Sequence, residues 1–228
     1  GADLDALTAK AKEMGATTML SATESADALQ YMAMAGWKAD EMLTGLPTVM
    51  NLAAASGEDL ATVSDIVTDD LTAFGLSAND AAHFADVLAA ASSNSNTNVS
   101  MMGETFRYAG AVAGAMKYSI DDVAVAVGLM ANAGIKASNA GTALRSVITR
   151  MAKPTKESAQ AMDDLDISIT DAQGDMIPFM QVMETMRDRF ADLSEAEKAQ
   201  YAAMLAGKTG MAGLLAVVNA SEQDFEKL

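Results

Sequence analysis

The chain has 228 residues, with 31 acidic and 15 basic side chains and a formal net charge of −16. It has no cysteine, which excludes disulfides, zinc–thiolate sites and thiol nucleophiles. Phosphate recognition needs basic surface that displaces counterions, and no basic cluster occurs, so direct nucleic-acid binding and docking on an anionic membrane surface are both disfavoured.

Half of the residues are hydrophobic, but Ala and 18 Met supply more of them than aromatics do. These residues favour helix, and only three prolines interrupt the chain. The expected fold class is all-α, a compact bundle of many short helices. The chain is long enough for one large domain or two small ones. The expected division is a helical domain over residues 1–165 and a helical continuation over 166–228 packed on the same domain. Gly1-Ala2-Asp3-Leu4-Asp5 lacks a basic and then apolar leader pattern, so no signal peptide is expected. There is no initiator Met, and Ser221 to Leu228 reads as a helix start that is then cut, so a fragment of a longer chain is expected.

Ser21-Ala22-Thr23-Glu24 is a capping-box pattern, and its helix is expected to end near Gly36. Pro47 suits the first turn of a helix ending near Gly57. From Asp59 to Phe74 one face carries Leu60, Val63, Ile66, Val67, Leu71 and Phe74, with Gly75 as the stop. Ser77-Ala78-Asn79-Asp80 opens a helix with Phe84, Val87, Leu88 and Ala91 inward. The polar run Ser92 to Asn98 is either a flexible linker or an ordered capped turn, and its length favours the turn. A helix follows from about Ser100 to Ala115, and Ser119-Ile120-Asp121-Asp122 caps the next.

Val123 to Pro154 is the most informative stretch. Two apolar helix faces flank Asn132 to Gly141: Val123, Ala124, Val127, Met130 and Ala131, then Leu144, Val147, Ile148 and Met151. Gly134 is placed to end the first helix in a left-handed cap, Ser138 or Asn139 to cap the second, and Lys153-Pro154 to stop it. Beyond Pro154, residues Ser158 to Leu165 read as helix. Ile167-Ser168-Ile169, a turn at Asp171-Ala172-Gln173-Gly174 and Met176-Ile177 predict a minor β-hairpin near residues 167–177. Pro178 starts a helix with Phe179, Val182, Met183, Met186 and Phe190 inward, and Ser194-Glu195-Ala196-Glu197 opens another. Gly207-Lys208-Thr209-Gly210 breaks it before Leu214. No internal repeat of fixed period and no long heptad array is present.

Four patterns bear on chemistry. Asp80, His83 and Asp86 lie at successive i+3 spacings, which can line three ligands along one side of a helix. A solvated polar face opposite Phe84, Val87 and Leu88 explains them better. Glu104 is the nearest candidate for a glycosidase acid, but no aromatic-rich cleft pattern or second carboxylate supports it. Gly207-Lys208-Thr209 resembles the end of a phosphate-binding loop, yet Ala202 stands where that loop needs Gly, and no strand precedes it. Gly110 and Gly114 form a small-xxx-small motif. Arg107, Lys117 and Asp121 bracket only about ten apolar residues around it, too few to span a bilayer, so close helix packing is the favoured reading. No catalytic, cofactor-binding or metal-binding residue is assigned, and no cofactor.

The order of an Ala-rich helix, Ala133-Gly134-Ile135, small polar residues, Ala140-Gly141-Thr142-Ala143-Leu144-Arg145, an apolar helix and a terminal Pro154 resembles the core of phage tail tape-measure proteins. Met14-Gly15-Ala16-Thr17-Thr18, Ala35-Gly36-Trp37, Leu46-Pro47-Thr48-Val49 and Leu71-Thr72-Ala73-Phe74-Gly75 extend the likeness over roughly residues 10–170, while Met19-Leu20 departs from the more aromatic pattern there. The resemblance implies a non-enzymatic structural segment, in a phage or prophage tail protein that sets tail length, templates tube assembly and leaves the tube at genome ejection. It implies tail-tube subunits, tail-assembly chaperones and tail-tip proteins as partners, together with self-association. It also implies a place in the tail-tube lumen after assembly in the host cytoplasm, and membrane contact only during ejection. A peptidoglycan-cleaving domain and a generic helical adaptor are the alternatives. The acidity fits solubility, or repulsion from DNA in a shared channel.

Overall fold

The computed structural model describes residues 2–228; Gly1, the first residue of the stretch read for a leader, lies outside them. In chain order the helices are α1 (Ala2–Thr17), α2 (Ala22–Met34), α3 (Ala39–Ser56), α4 (Leu60–Ala73), α5 (Ala81–Asn94) and α6 (Val99–Ala115). They continue as α7 (Ile120–Asn132), α8 (Ala137–Ala152), α9 (Lys156–Asp164), α10 (Phe179–Ala191), α11 (Glu195–Val218) and α12 (Glu222–Glu226). Among the described residues there is no strand, so the expected all-α bundle of short helices is the architecture found.

The punctuation follows from local chemistry. At Ser21 the backbone N–H donates to Glu24 Oε2 at 2.7 Å while the Glu24 N–H donates to Ser21 Oγ at 3.1 Å, closing the capping box. Ser194 and Glu197 repeat it at the start of α11. Asp59, Asn98 and Ser119 each accept a first-turn amide. At the other ends Gly36 and Gly134 adopt φ of 86° and 85°, which a side chain would oppose. The amides that follow reach back across the cap, Trp37 N–H to Met32 O at 3.0 Å and Ile135 N–H to Met130 O at 2.8 Å. The polar run between α5 and α6 is an ordered turn: α5 extends to Asn94, and Asn96 N–H donates to Asn132 Oδ1 at 2.8 Å.

Several local expectations need correction. The first helix, α1, was not anticipated, because it buries few residues, among them Ala11 and Met14. Pro47 lies deep inside α3 rather than in its first turn. That helix starts earlier because Glu41 Oε2 accepts the Lys38 N–H at 2.7 Å, and α3 continues through Pro47 despite the missing donor. Neither Ser138 nor Asn139 caps α8. The helix begins at Ala137, held by Thr105 Oγ1 donating to the Ala137 carbonyl at 3.1 Å. Ala78–Asp80 forms a short 3-10 turn ahead of α5, with Ser77 as its cap. The predicted hairpin reduces to one antiparallel bridge, Thr170 with Met176, flanked by Ile177 N–H to Ile169 O and Asp171 N–H to Asp175 O, both 2.9 Å. Two arms this short do not propagate a ladder.

The core begins with an edge-to-face cluster of Phe74, Phe84 and Phe106, whose ring centroids lie 5.4 to 6.4 Å apart where α4, α5 and α6 meet. From there the helices approach one another over glycines. A Cβ on Gly114 of α6 would sit 2.6 Å from the Ala73 carbonyl oxygen of α4, and one on Gly141 of α8 would sit 2.5 Å from the Thr105 oxygen of α6. One on Gly213 of α11 would sit 2.7 Å from Cβ of Ala143 on α8. The order α4, α6, α8, α11 is therefore a row of close crossings, and the small-xxx-small pair Gly110 and Gly114 faces α4.

Candidate functional site

His83 does not gather Asp80 and Asp86 around it. Its Nε2 lies 2.9 Å from Asp121 Oδ2 on α7, with both side chains more than half exposed. The hydrogen bond to Asp121, then its charge, raise the imidazole pKa. Asp80 is turned to the backbone instead, where its carboxylate accepts the Ser77 N–H at 2.8 Å, which holds its pKa low. Among the described residues no group of three or more His, Asp or Glu side chains is placed to hold a metal ion.

Glu104 is exposed on α6 and borders an open groove of about 480 Å³ with Tyr31, Asp65 and Arg107. The fold thus brings a second carboxylate, Asp65, to the same groove, a juxtaposition across 39 residues that sequence spacing does not reveal. Tyr31 is the one aromatic residue in its lining. Gly207, in the Gly-Lys-Thr run that lacks the rest of a phosphate-binding loop, is buried inside α11 with φ 69° and ψ 174°, and it bends the helix there.

Sequence reasoning missed Asp70. It is 3% exposed, and its Oδ2 has no hydrogen-bond partner. Burial, then the charge of Asp69, push its carboxyl well above the usual carboxylate range, while Arg107 opposes the shift. Asp65, Asp69, Asp70 and Arg107 line a cavity of about 270 Å³ between α4 and α6. The signal was present: Asp70 follows Val63 by seven residues and precedes Phe74 by four, which places it on the inward stripe of α4.

A second cavity, of about 470 Å³, runs between α1 and α2 and is walled by Leu4, Leu7, Ala11, Ala26 and Leu29, with Met42 of α3 beneath. Leu4 is 64% exposed at its mouth. The arrangement is one of closely packed, capped helices with apolar grooves, suited to contact with other protein surfaces.

This helical chain belongs to the phage-related minor tail protein family, whose model matches residues 8–207. Over 226 residues it is 38% identical to the tape measure protein of Pneumococcus phage Dp-1, a match covering 99% of this chain and 20% of that protein. It is 28% identical over 230 residues to the probable tape measure protein of Escherichia phage P2, covering 100% of this chain and 28% of that protein. The chain therefore spans well under a third of the length of either relative. No solved structure is significantly similar to it.

Proposed function

We propose that this chain is a non-enzymatic structural segment of a phage or prophage tail tape-measure protein, contributing to tail-length determination, tail-tube assembly and genome ejection. The observation that carries the reading is the match along essentially the whole chain to a protein named as a tape measure, at 38% identity. The architecture supports it, because every amphipathic face between the glycine stops is a surface that another helix or a tube wall could cover. Partners are tail-tube subunits, tail-assembly chaperones and tail-tip proteins, with further copies of the chain. Residues 1–165 and 166–228 act together as one unit. The segment resides in the tail-tube lumen after assembly in the host cytoplasm. The charge of −16 keeps it from binding the genome that shares the channel, and any membrane contact is confined to ejection.

Mass spectrometry of tails purified away from heads tests the placement. Peptides from residues 1–228 in the tail fraction are expected. Their absence from tails that are otherwise complete would overturn the reading.

A further inference from the structure

The bend in α11 is held from outside. Gly207 has φ 69° and ψ 174°, a combination that only glycine adopts readily. In an unbroken helix the carbonyls of Met204 and Ala206 would accept from the amides four residues on. Here they are met by side chains of two other helices. Ser158 Oγ of α9 donates to Met204 O at 2.8 Å, and Ser146 Oγ of α8 donates to Ala206 O at 2.7 Å. The Arg150 guanidinium of α8 lies over the bend, its Nε, Cζ and Nη2 within 2.7 to 2.9 Å of where a Gly207 Cβ would be. Ser146 and Arg150 are four residues apart, on one face of α8. Beyond the bend Gly210 and Gly213 dock on the same face, at Ser146 and Ala143.

Apart from Gly207, Gly210 and Gly213, the residues of α11 favour a continuous helix. Proline is absent from Glu195–Val218, and most of its residues are Ala, Leu, Met, Glu, Lys or Gln. Gly207 makes the bend accessible, and the contacts with α8 and α9 hold it in place.

We propose that Gly207 is a hinge latched by Ser146, Ser158 and Arg150, and that α11 becomes one straight helix when α8 and α9 move away. Straightened, its 24 residues span about 36 Å. Straightening releases the Met204 and Ala206 carbonyls from the two serine hydroxyls, and in a regular helix both accept from the amides of Lys208 and Gly210. The use of this hinge in a tail rests on the tape-measure reading, whereas the hinge itself is a property of the isolated chain.

The absence of cysteine allows spin labels to be placed cleanly at the exposed positions Ala196→Cys and Ala212→Cys in the full 228-residue chain. Double electron–electron resonance then reads the distance across the bend, and circular dichroism at 222 nm reads helix content. A single short distance is expected with the wild-type sequence. Gly207→Ala, which opposes the left-handed conformation and evicts the guanidinium, should give a longer distance near the roughly 24 Å axial rise of a straight 16-residue span, with helix content kept. The double variant Ser146→Ala/Ser158→Ala leaves residue 207 unchanged and should add the longer distance as a second population; it decides the matter if Gly207→Ala does not fold. An unchanged single short distance in the folded variants, or a broadened distance accompanied by lost helix signal, overturns the hinge. Neither result alters whether the segment is found in tails, so the two readings fail separately.

Discussion

His83 on α5 and Asp121 on α7 meet at 2.9 Å, joining two helices that are otherwise held by their apolar faces. Asp121 also lies in the first turn of α7, where a carboxylate suits the positive end of the helix dipole. The pair raises the imidazole pKa above its ordinary value. A raised folded-state pKa means that the stabilisation is fully present below the unfolded value of about 6.5 and is lost as pH rises through the folded one. Both groups are well exposed, so the energetic effect is small. Histidine NMR should show His83 titrating above the ordinary value, and Asp121→Asn should bring it back down. An unchanged midpoint in that variant would show that the contact does not persist in solution.

Asp70 should weaken the fold as pH rises. Its folded-state pKa is raised well above the ordinary carboxylate value, so the native state holds a proton that the unfolded chain releases. The native advantage is complete below the unfolded pKa, declines as pH rises toward the folded pKa, and is constant above it. Asp70→Asn removes this term. Urea unfolding at pH 8 should find the variant more stable than wild type, because the amide has no charge to keep out of water. At pH 3.5 the two should be nearly equal. Parallel pH profiles for the two chains would refute the assignment.

Gly141→Ala should destabilise the chain by about 1–3 kcal/mol, as overpacking does where the neighbour cannot yield. The added Cβ meets the Thr105 carbonyl oxygen, a backbone atom, at 2.5 Å. Gly103→Ala meets the branched Ile66 side chain, its Cγ1 at 2.6 Å, which is stiff but is not backbone, and should cost somewhat less. Equilibrium urea unfolding of the two variants checks the order, and a larger loss at Gly103 would contradict it.

These glycines also show what the sequence could and could not reveal. Ser21, Ser119 and Ser194 bond only to their own chain within three residues, so their caps were readable from spacing, as were the stops at Gly36 and Gly134. Pro47 misled because helix starts compete: the Lys38–Glu41 cap lies nine residues upstream and sets the boundary. Thr105 overrides Ser138 and Asn139 from a different helix, which no local rule detects. The same holds for the groove that joins Asp65 to Glu104, and for the bend at Gly207. There the break was foreseen, but its three supporting side chains come from α8 and α9.

Duplex DNA should not bind. With a net charge of −16, phosphates are repelled within a Debye length of roughly 8–10 Å at ordinary salt. Fluorescence anisotropy with labelled duplex should stay flat to high micromolar protein at 0.1 M salt. A micromolar affinity that weakens with added salt would contradict this.

Tail length sets the folded and extended forms against each other. As one extended helix, 228 residues would span on the order of 340 Å. A compact domain of this size has a radius of gyration of roughly 17 Å, and so a diameter of about 45 Å. The isolated chain adopts the compact form, since the core between α4 and α11 is continuous and most of the large apolar side chains are buried. A ruler that works by contour length must open that core inside the tube, exposing Phe84, Phe106, Leu144 and their neighbours unless tube subunits or other copies cover them. An in-frame deletion of residues 1–228 in the parent phage, with tails measured by electron microscopy, separates the cases. Tails shortened by a few hundred ångströms are the expected outcome, and they mean that the segment is stretched in the assembled tail. Shortening by a few tens of ångströms means that it stays folded at one place along the tube. Tails of normal length would remove any measuring role for this segment.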